Sequence, residues 1–407
     1  MNRVYNTRIT CRSCGGPLKE VLNLGDICLN DFVTSQDEVL TSPLAVVKCE
    51  ACQLVQLRDT CDLDKLYRQY WYKSSLNKGM VRSLQDVVDG IESRITLSDN
   101  DVVIDIGAND GTMLSQYRTK GLYKIGFDPA LNLADDALRH CTEFHNTYFG
   151  DPNAPKTPKA KVITAIAMFY DLEDPNTFVE LVYQSLHEDG VFVIQLTDLL
   201  SILKSNAFDA VGQEHLEYYS FDVLQDLLLF HGLHVFDVEG NDVNGGSIRL
   251  YACKQGRYPV RKSVEERRRK EREYFDSFYS RGLDPFEEFA RKVERLRDTL
   301  MSFLLKEQAS GKVIYALGAS TKGNTLLQYY GITDSLVLKA AEVNEDKFGR
   351  RTVGSNIPII SEARAINEAP DYFLVLPWHF KDGLVKKVRE AGFKGKFIFP
   401  LPEVEVV

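Results

Sequence analysis

The chain has 407 residues, 44% of them hydrophobic and 26% charged, with a formal net charge of −9. That length exceeds one ordinary core, so two or three domains are expected, and an acidic balance without a basic, aromatic-studded patch argues against nucleic-acid binding. No apolar run approaches the roughly 20 residues needed to span a bilayer, and the first eight residues, Met-Asn-Arg-Val-Tyr-Asn-Thr-Arg, lack an apolar signal core, so a cytoplasmic protein without a membrane partner is expected.

Eight cysteines in so long a chain do not suggest a disulfide scaffold. Cys11-Arg-Ser-Cys14 and Cys49-Glu-Ala-Cys52 are two Cys-x-x-Cys pairs, each able to present two thiolates to one tetrahedral zinc. A redox pair is the alternative for one such motif; two matched motifs favour the metal. A closed four-cysteine site leaves no open position for chemistry, so the zinc is expected to be structural. Cys28 and Cys61 read as ordinary thiols. Between and after the knuckles come Leu22-Asn-Leu-Gly25, Leu29-Asn-Asp-Phe32 and Leu54-Val-Gln-Leu57. The aromatic cluster Tyr67-Arg-Gln-Tyr-Trp-Tyr72 follows and runs into Lys73-Ser-Ser-Leu-Asn-Lys-Gly-Met80. It reads either as packing or as a polar flap over an adjacent cofactor, with Tyr72, Ser75 and Asn77 supplying polar groups.

The stretch Val102-Val-Ile-Asp-Ile-Gly-Ala-Asn-Asp-Gly-Thr112 reads as strand, glycine turn and helix, the helix continuing over 113–117. Gly107 and Gly111 let backbone approach a ligand, and the helix start offers free N–H groups. Asp105 before the first glycine suits a cationic ligand better than a pyrophosphate, and the spacing is not the Gly-x-Gly-x-x-Gly of dinucleotide folds. A second strand, Tyr123-Lys-Ile-Gly-Phe127, ends in Asp128, placed to bind ribose hydroxyls. Together these residues resemble the S-adenosylmethionine site of class I methyltransferases.

Alternating strands and helices continue to about residue 255, as in a doubly wound sheet. Residues 161–170 read as a buried strand that carries Met168 and ends at Asp171, where side chains face the ligand crevice. A helix over 177–187 and a strand over 191–195 follow. In Phe208-Asp-Ala-Val-Gly-Gln-Glu-His-Leu-Glu-Tyr-Tyr-Ser220, Glu214 and His215 stand in the densest polar and aromatic setting of any histidine in the chain, and imidazole is the usual general base near neutral pH. His140, His145, His187, His231 and His234 read as structural. Asn244-Gly-Gly-Ser-Ile-Arg-Leu-Tyr251 opens a late strand whose paired glycines mark either close backbone approach or a simple turn. Residues 258–308 read as a helical connector with solvated charge on one face. At Gly311 a second strand–glycine turn–helix begins, Lys312-Val-Ile-Tyr-Ala-Leu-Gly-Ala-Ser-Thr-Lys-Gly-Asn324, with a second strand over 336–341 leading to Glu342. Its Ser320, Thr321 and Lys322 suit phosphate; a cofactor-free repeat of a common fold is the alternative. Trp378 and His379 follow the strand expected over 372–376.

These motifs occur in order over nearly the whole chain, and the sequence resembles the zinc-containing sugar C-methyltransferases of deoxysugar biosynthesis. The matching pieces are both knuckles, Leu24-Gly25, Tyr70-Trp-Tyr-Lys-Ser74, Asp105-Ile-Gly-Ala-Asn-Asp-Gly111, Glu214-His-Leu-Glu-Tyr-Tyr-Ser220, Asn244-Gly-Gly-Ser-Ile-Arg249 and Gly318-Ala-Ser-Thr-Lys-Gly-Asn324. The resemblance implies an α/β protein in four parts: a small zinc domain (1–70), a class I, Rossmann-like methyltransferase core (71–256), the helical connector (257–308) and a second Rossmann-like domain that helps hold a nucleotide sugar (309–407). It implies a nucleotide-linked 4-keto-6-deoxyhexose as acceptor, S-adenosylmethionine and structural zinc as cofactors, and a monomer or weak homodimer. It makes His215 the base that removes the C3 proton to give an enediolate, with Glu214 orienting the imidazole and Tyr72 near sugar and cofactor. The candidate cofactor residues are Asp105, Gly107, Asn109, Gly111, Asp128, Ser75, Asn77 and Met168. The candidate substrate residues are Asp171, Asn244, Ser247, Arg249, Ser320, Thr321, Lys322, Asn324, Trp378 and His379. Three positions depart from the family pattern: Gly212 replaces a tyrosine, Asp171 a histidine, and Asn244 the histidine of His-Gly-Gly-Ser. The competing readings are methyl transfer to oxygen or nitrogen of a related sugar, and a module that binds both ligands without turnover.

Overall fold

The computed structural model describes residues 5–29, 32–34, 37, 39–61 and 72–407; most of the aromatic cluster, Tyr67 to Trp71, and the pair Asn30-Asp31 lie outside the described residues. The organising element is Val102–Ile106, whose Val-Val-Ile-Asp-Ile run is buried beyond its first residue, the pattern of a parallel strand covered on both faces. Seven strands lie side by side in the order Leu233–Asn241, Ser247–Lys254, Leu186–Thr197, Ala160–Ile166, Val102–Ile106, Tyr123–Phe127, Glu143–His145. The five from Leu186–Thr197 to Glu143–His145 pair in parallel, and Ser247–Lys254 runs antiparallel to both its neighbours. The chain leaves Val102–Ile106 to build first one side of the sheet and then the other, so a crevice opens at the carboxyl ends there.

Helix Lys78–Glu92 covers one face through Leu84, Val87, Val88 and Ile91, spaced as one helical stripe, and packs on Val103, Val162 and Val193. Asn77 starts it: its Oδ1 accepts from the N–H groups of Gly79 (2.9 Å) and Met80 (3.3 Å). Helices Pro175–Ser185 and Phe221–Phe230 cover the other face. Two expected elements are shorter than their sequence suggests. The helix after the glycine turn stops after Thr112–Ser115. The strand expected over 161–170 ends at Ile166, because Ala167 turns left-handed at φ +55°, and Phe169–Asp171 is a short 3-10 turn that brings Met168 back over the crevice.

The strands Leu18–Cys28, Thr41–Cys49 and Val55–Leu57 form an antiparallel sheet whose fourth member comes from far along the chain, Glu217–Tyr218. The connector is two helices, Lys262–Tyr279 and Pro285–Ala309. The second buries Phe289, Val293, Leu296, Leu300 and Leu304 in one apolar cluster with Leu22 and Leu44 of the N-terminal sheet and Leu317 and Phe373 of the C-terminal one. That last sheet runs Ile359–Ser361, Ala340–Glu342, Ile314–Leu317, Tyr372–Val375, Lys396–Phe399, Glu405–Val406, parallel except for its final pair. The strand expected over 336–341 thus starts four residues later. No helix among the described residues is long and apolar enough to cross a membrane.

Two residues expected at the substrate belong to the scaffold. Arg249 is 2% exposed, because the register of Ser247–Lys254 turns it towards helix Lys78–Glu92. Its Nε donates to Gln195 Oε1 (2.9 Å) and its Nη2 to Asp86 Oδ2 (2.8 Å), with Glu239 Oε2 at 3.4 Å. Ser247 is buried and donates locally to Val243 O (2.8 Å). Arg249→Met should therefore lower the melting temperature, the lost charged hydrogen bonds being worth about 1–3 kcal/mol, and should leave calorimetric affinity for cofactor and nucleotide sugar unchanged; weakened sugar affinity with unaltered melting would return Arg249 to the site.

Candidate functional site

The two knuckles meet. The Sγ atoms of Cys11, Cys14, Cys49 and Cys52 all lie within 4.8 Å of one another, with Cys11 to Cys52 at 3.6 Å and Cys14 to Cys49 at 3.4 Å. Backbone N–H groups of Gly16, Ala51 and Cys52 point at Cys14 and Cys49 sulfurs at 3.4 Å, and Gln56 Nε2 donates to Cys11 Sγ at 3.1 Å. Donors aimed at sulfur suit thiolates, and four sulfurs at these spacings fit a closed tetrahedral zinc site.

At the crevice, Gly107 takes φ +73°, and a Cβ there would sit 3.0 Å from Met168 Cγ. Gly111 takes φ +75°, and a Cβ would lie 3.1 Å from the Ala137 backbone. Asp128 is buried; its Oδ2 accepts from Asn109 N (2.8 Å) and its Oδ1 from Ala130 N (2.9 Å), each oxygen keeping acceptor capacity for a hydroxyl. Burial pushes the Asp128 carboxyl up against those two donors. Asp105 accepts from Thr164 Oγ1 (2.7 Å), and burial pushes it up to about 7. A strap crosses this loop. Ser74 N donates to Asn109 Oδ1 (3.0 Å), Asn109 Nδ2 to Tyr72 O (3.0 Å), and Ser75 N to Asp110 Oδ2 (2.9 Å). Asn109 and Ser75 thus hold the strap, Asn77 caps a helix, and Tyr72 stands beside the loop with its phenol pushed up to about 12 by burial and Asp110. Asp110 was not singled out in the sequence, although it lies inside the glycine motif.

His215 lies on the segment between the turn Phe208–Ala210 and the strand Glu217–Tyr218. Its Nδ1 is 3.0 Å from Ala210 O; a carbonyl only accepts, so Nδ1 carries the proton and Nε2 the free lone pair. The ring meets Tyr170 edge-on at 4.5 Å between centroids. Burial holds the imidazole below its usual pKa of 6.5, with Glu214 opposing, so it is neutral and basic at pH 7. Tyr170 and Asp171 share the short turn beside Met168.

The C-terminal residues converge on the same place. Lys322 Nζ donates to Asn244 O (2.9 Å), Asn244 sitting at φ +56°. A Cβ on Gly245 would contact His379 (3.7 Å) and Trp378 (3.9 Å), and Trp378 Nε1 donates to Asp209 Oδ2 (2.8 Å). Asn244, Lys322, Trp378 and His379 are therefore brought together, and Asp209, which the sequence reading passed over, ties them to the His215 segment. Ser320 Oγ caps helix Thr321–Tyr330 through Gly323 N (3.0 Å), and Asn324 is buried inside that helix. Glu342 repeats the part of Asp128, accepting from Ala319, Val343 and Asn344 N–H groups at 2.7–3.1 Å. Between the two half-folds lies a cleft of about 1740 Å³ walled by Tyr72, Glu214, Ser320, Thr321 and His379 among others. Glu214 is the member of the Glu-His pair that faces it. Lys78 and Arg82 line the same cleft.

Three family models match consecutive parts of the chain: one described as "Putative zinc binding domain" at residues 11–67, a methyltransferase domain at 77–238, and a C-methyltransferase C-terminal domain at 242–402. C-methyltransferase NovU of Streptomyces niveus is 32% identical over 413 residues, covering 98% of this chain and 96% of that one. Among solved structures, magnesium protoporphyrin IX methyltransferase of Synechocystis PCC 6803 with bound SAM aligns at 10% identity over 44% of this chain and 80% of its own, TM-score 0.35. Mycolic acid cyclopropane synthase CmaA1 aligns at 12% identity over 47% and 93%, TM-score 0.36.

Metal analysis of the purified chain should find one zinc. Cys11→Ser should release it and lower the melting temperature, since a structural metal contributes folding free energy directly; a zinc-free native protein, or Cys11 in a disulfide, would contradict the site.

Proposed function

This chain belongs to the C-methyltransferase family, with a class I methyltransferase fold, an N-terminal zinc-binding domain and S-adenosylmethionine as cofactor, and we propose that it methylates carbon C3 of a nucleotide-linked 4-keto-6-deoxyhexose. One observation carries the reading: His215 has its Nδ1 proton committed to Ala210 O, which leaves Nε2 as its basic nitrogen, while its neighbour Glu214 lines the large cleft. That cleft has room for a nucleotide sugar, and two exposed cations on its wall, Lys78 and Arg82, suit a diphosphate.

The ketone at C4 acidifies the proton on C3. His215 Nε2 removes it, and the negative charge spreads onto the C4 oxygen. Glu214 stabilises the imidazolium that forms. S-adenosylmethionine supplies the electrophilic methyl group. In this reading Asp128 receives the ribose hydroxyls, Gly107 and Gly111 keep the loop low beneath the cofactor, and Asp105 faces the cationic end. Tyr72 remains a phenol throughout the neutral range and donates from above the loop. Of the four parts proposed from the sequence, the first two each contain one family match, at 11–67 and 77–238, while the third match, at 242–402, runs from the end of the core across the connector into the last part.

Asp128→Ala should weaken S-adenosylmethionine binding by about 1–3 kcal/mol in a calorimetric titration, and unchanged affinity would move the ribose elsewhere.

Incubation with S-adenosylmethionine and a panel of nucleotide-linked 4-keto-6-deoxyhexoses, read by mass spectrometry and NMR, should give a C-methylated product; an O- or N-methyl product would establish the rival chemistry. His215→Asn should bind both ligands yet lose about 10²–10⁴-fold in turnover and lose C3–H exchange with deuterated water in step. Because burial sets the imidazole below 6.5, wild-type exchange should be level through neutral pH and fall only below 6.5. A larger loss in Glu214→Gln than in His215→Asn would make the cleft-facing carboxylate the base.

A further inference from the structure

C3 deprotonation places a full negative charge on the C4 oxygen, which calls for a hydrogen-bond donor or a cation beside it. Gly212, where the family pattern has a tyrosine, has no side chain to donate. A cation does stand there. Lys322 reaches from the C-terminal half-fold and donates to Asn244 O at 2.9 Å. No carboxylate among the described residues lies within ion-pair distance of it. Its nearest acid, Asp209, is engaged by Trp378 Nε1, and Asp209 Oδ1 is buried without a partner among the described residues. The titratable groups around the ammonium are Asp209 and His215 on the 208–215 segment, His379 after the last parallel strand but one, and Glu214 on the cleft wall. Its charge is felt at both imidazoles, helping to hold His215 down and His379 at about 4. A desolvated cation with a single neutral acceptor has two N–H groups left for an anion that is not part of the protein. Ser320 and Thr321 wall the open cleft with Lys78 and Arg82, whereas Lys322 is not among its wall residues and turns to Asn244 O.

We propose that Lys322 is a catalytic residue: its ammonium hydrogen-bonds to the C4 carbonyl oxygen of the acceptor and stabilises the oxyanion that forms there as His215 takes the C3 proton. The inference rests on the C-methylation reading above. In the first step the C3–H electron pair becomes the C3–C4 π bond, the carbonyl π pair moves onto oxygen beside the ammonium, and the proton goes to His215 Nε2. In the second the C3–C4 π pair forms the bond to the methyl carbon while the bond from that methyl to sulfur breaks, its pair staying on sulfur; the carbonyl re-forms and His215 releases its proton to solvent. Phosphate binding, the role its position beside Ser320 and Thr321 suggested, falls instead to the cations that line the cleft.

Lys322→Met and wild type are compared in C3–H exchange with deuterated water over the same panel of keto sugars, with calorimetric affinity for the matching nucleoside diphosphate measured beside it. Exchange should fall about 10²–10³-fold, as for loss of one oxyanion donor, with nucleoside diphosphate affinity unchanged. Native exchange in the variant, or a loss confined to diphosphate affinity, would overturn the proposal. Wild type that exchanges and methylates nothing in the panel would count against the proposed function itself. Should Lys322→Met fail to fold, the wild-type pH profile decides: burial lowers the Lys322 pKa from its ordinary 10.5, so exchange should decline on the alkaline side before pH 10.5, and a level rate up to that pH would overturn the role.

Discussion

The arrangement of this protein depends on one short pairing, Glu217 with Gln56 and Tyr218 with Val55, which makes the segment after His215 the fourth strand of the thiol-bearing sheet. Leu57 N donates to Leu216 O (2.8 Å) just beside it, so the residue after His215 is fixed by backbone hydrogen bonds on one side while Ala210 O fixes the ring on the other. Gln56 also donates to Cys11 Sγ. A closed cysteine site with no room for chemistry thereby acquires a mechanical connection to the candidate base. Underneath, Arg12 is buried, its guanidinium donating to Leu57 O and Thr60 and lying 3.4 Å from Glu173 on the methyltransferase side. A guanidinium with several fixed acceptors resists displacement, because each lost partner leaves a buried donor unsatisfied.

The crevice shows the same economy with backbone groups. Asp128 takes the Asn109 amide and Glu342 takes the Ala319 amide, so in each half-fold the acid that ends the second strand holds the turn that ends the first. The two half-folds use this layout for different ends. In the first the turn carries a glycine at φ +73° beneath Met168, leaving the backbone low, and a strap from 72–75 is bonded over it through Asn109 and Asp110. In the second the turn packs against Pro377 and Leu376, where a Cβ on Gly318 or Gly323 would come within 2.8 Å, and its polar groups cap the following helix. The first loop is shaped to approach a ligand; the second is shaped to bring Ser320 to the shared cleft and Lys322 to the Asn244 turn.

Helix Pro285–Ala309 explains why the halves face each other at all. Its apolar stripe enters a core common to the N-terminal and C-terminal sheets, and the pairing of Phe32–Val33 with Arg351–Thr352 adds a second tie. A cleft between two bodies that share a core keeps its walls in register, which the chemistry proposed for His215 and Lys322 requires of groups more than a hundred residues apart.

Much of this was legible in the residues themselves. Two Cys-x-x-Cys knuckles state their own ligand set, since thiolate chemistry needs four sulfurs and little else. Val102 to Gly111 and Asp128 state a strand, a close-approach turn and a carboxylate at a strand end, because those are local consequences of apolar runs and left-handed glycines. Glu214-His215 stood out by its setting. What local chemistry could not decide was direction and company. Arg249 lies in a glycine-led motif, yet strand register turns it into the sheet–helix interface. Asn77 has the right polarity for a ligand and is used as a helix cap. Asp209 is an ordinary acid in sequence, and only the approach of Trp378, 169 residues away, buries and engages it. Lys322 reads as a phosphate ligand beside Ser320 and Thr321 until the Asn244 turn is laid against it. The sequence by itself determined which groups are present and which backbone turns can hold them; only the tertiary structure decided which of them share a low-dielectric space, because burial, and with it the strength of every charge, is a property of the neighbours that folding brings from elsewhere in the chain.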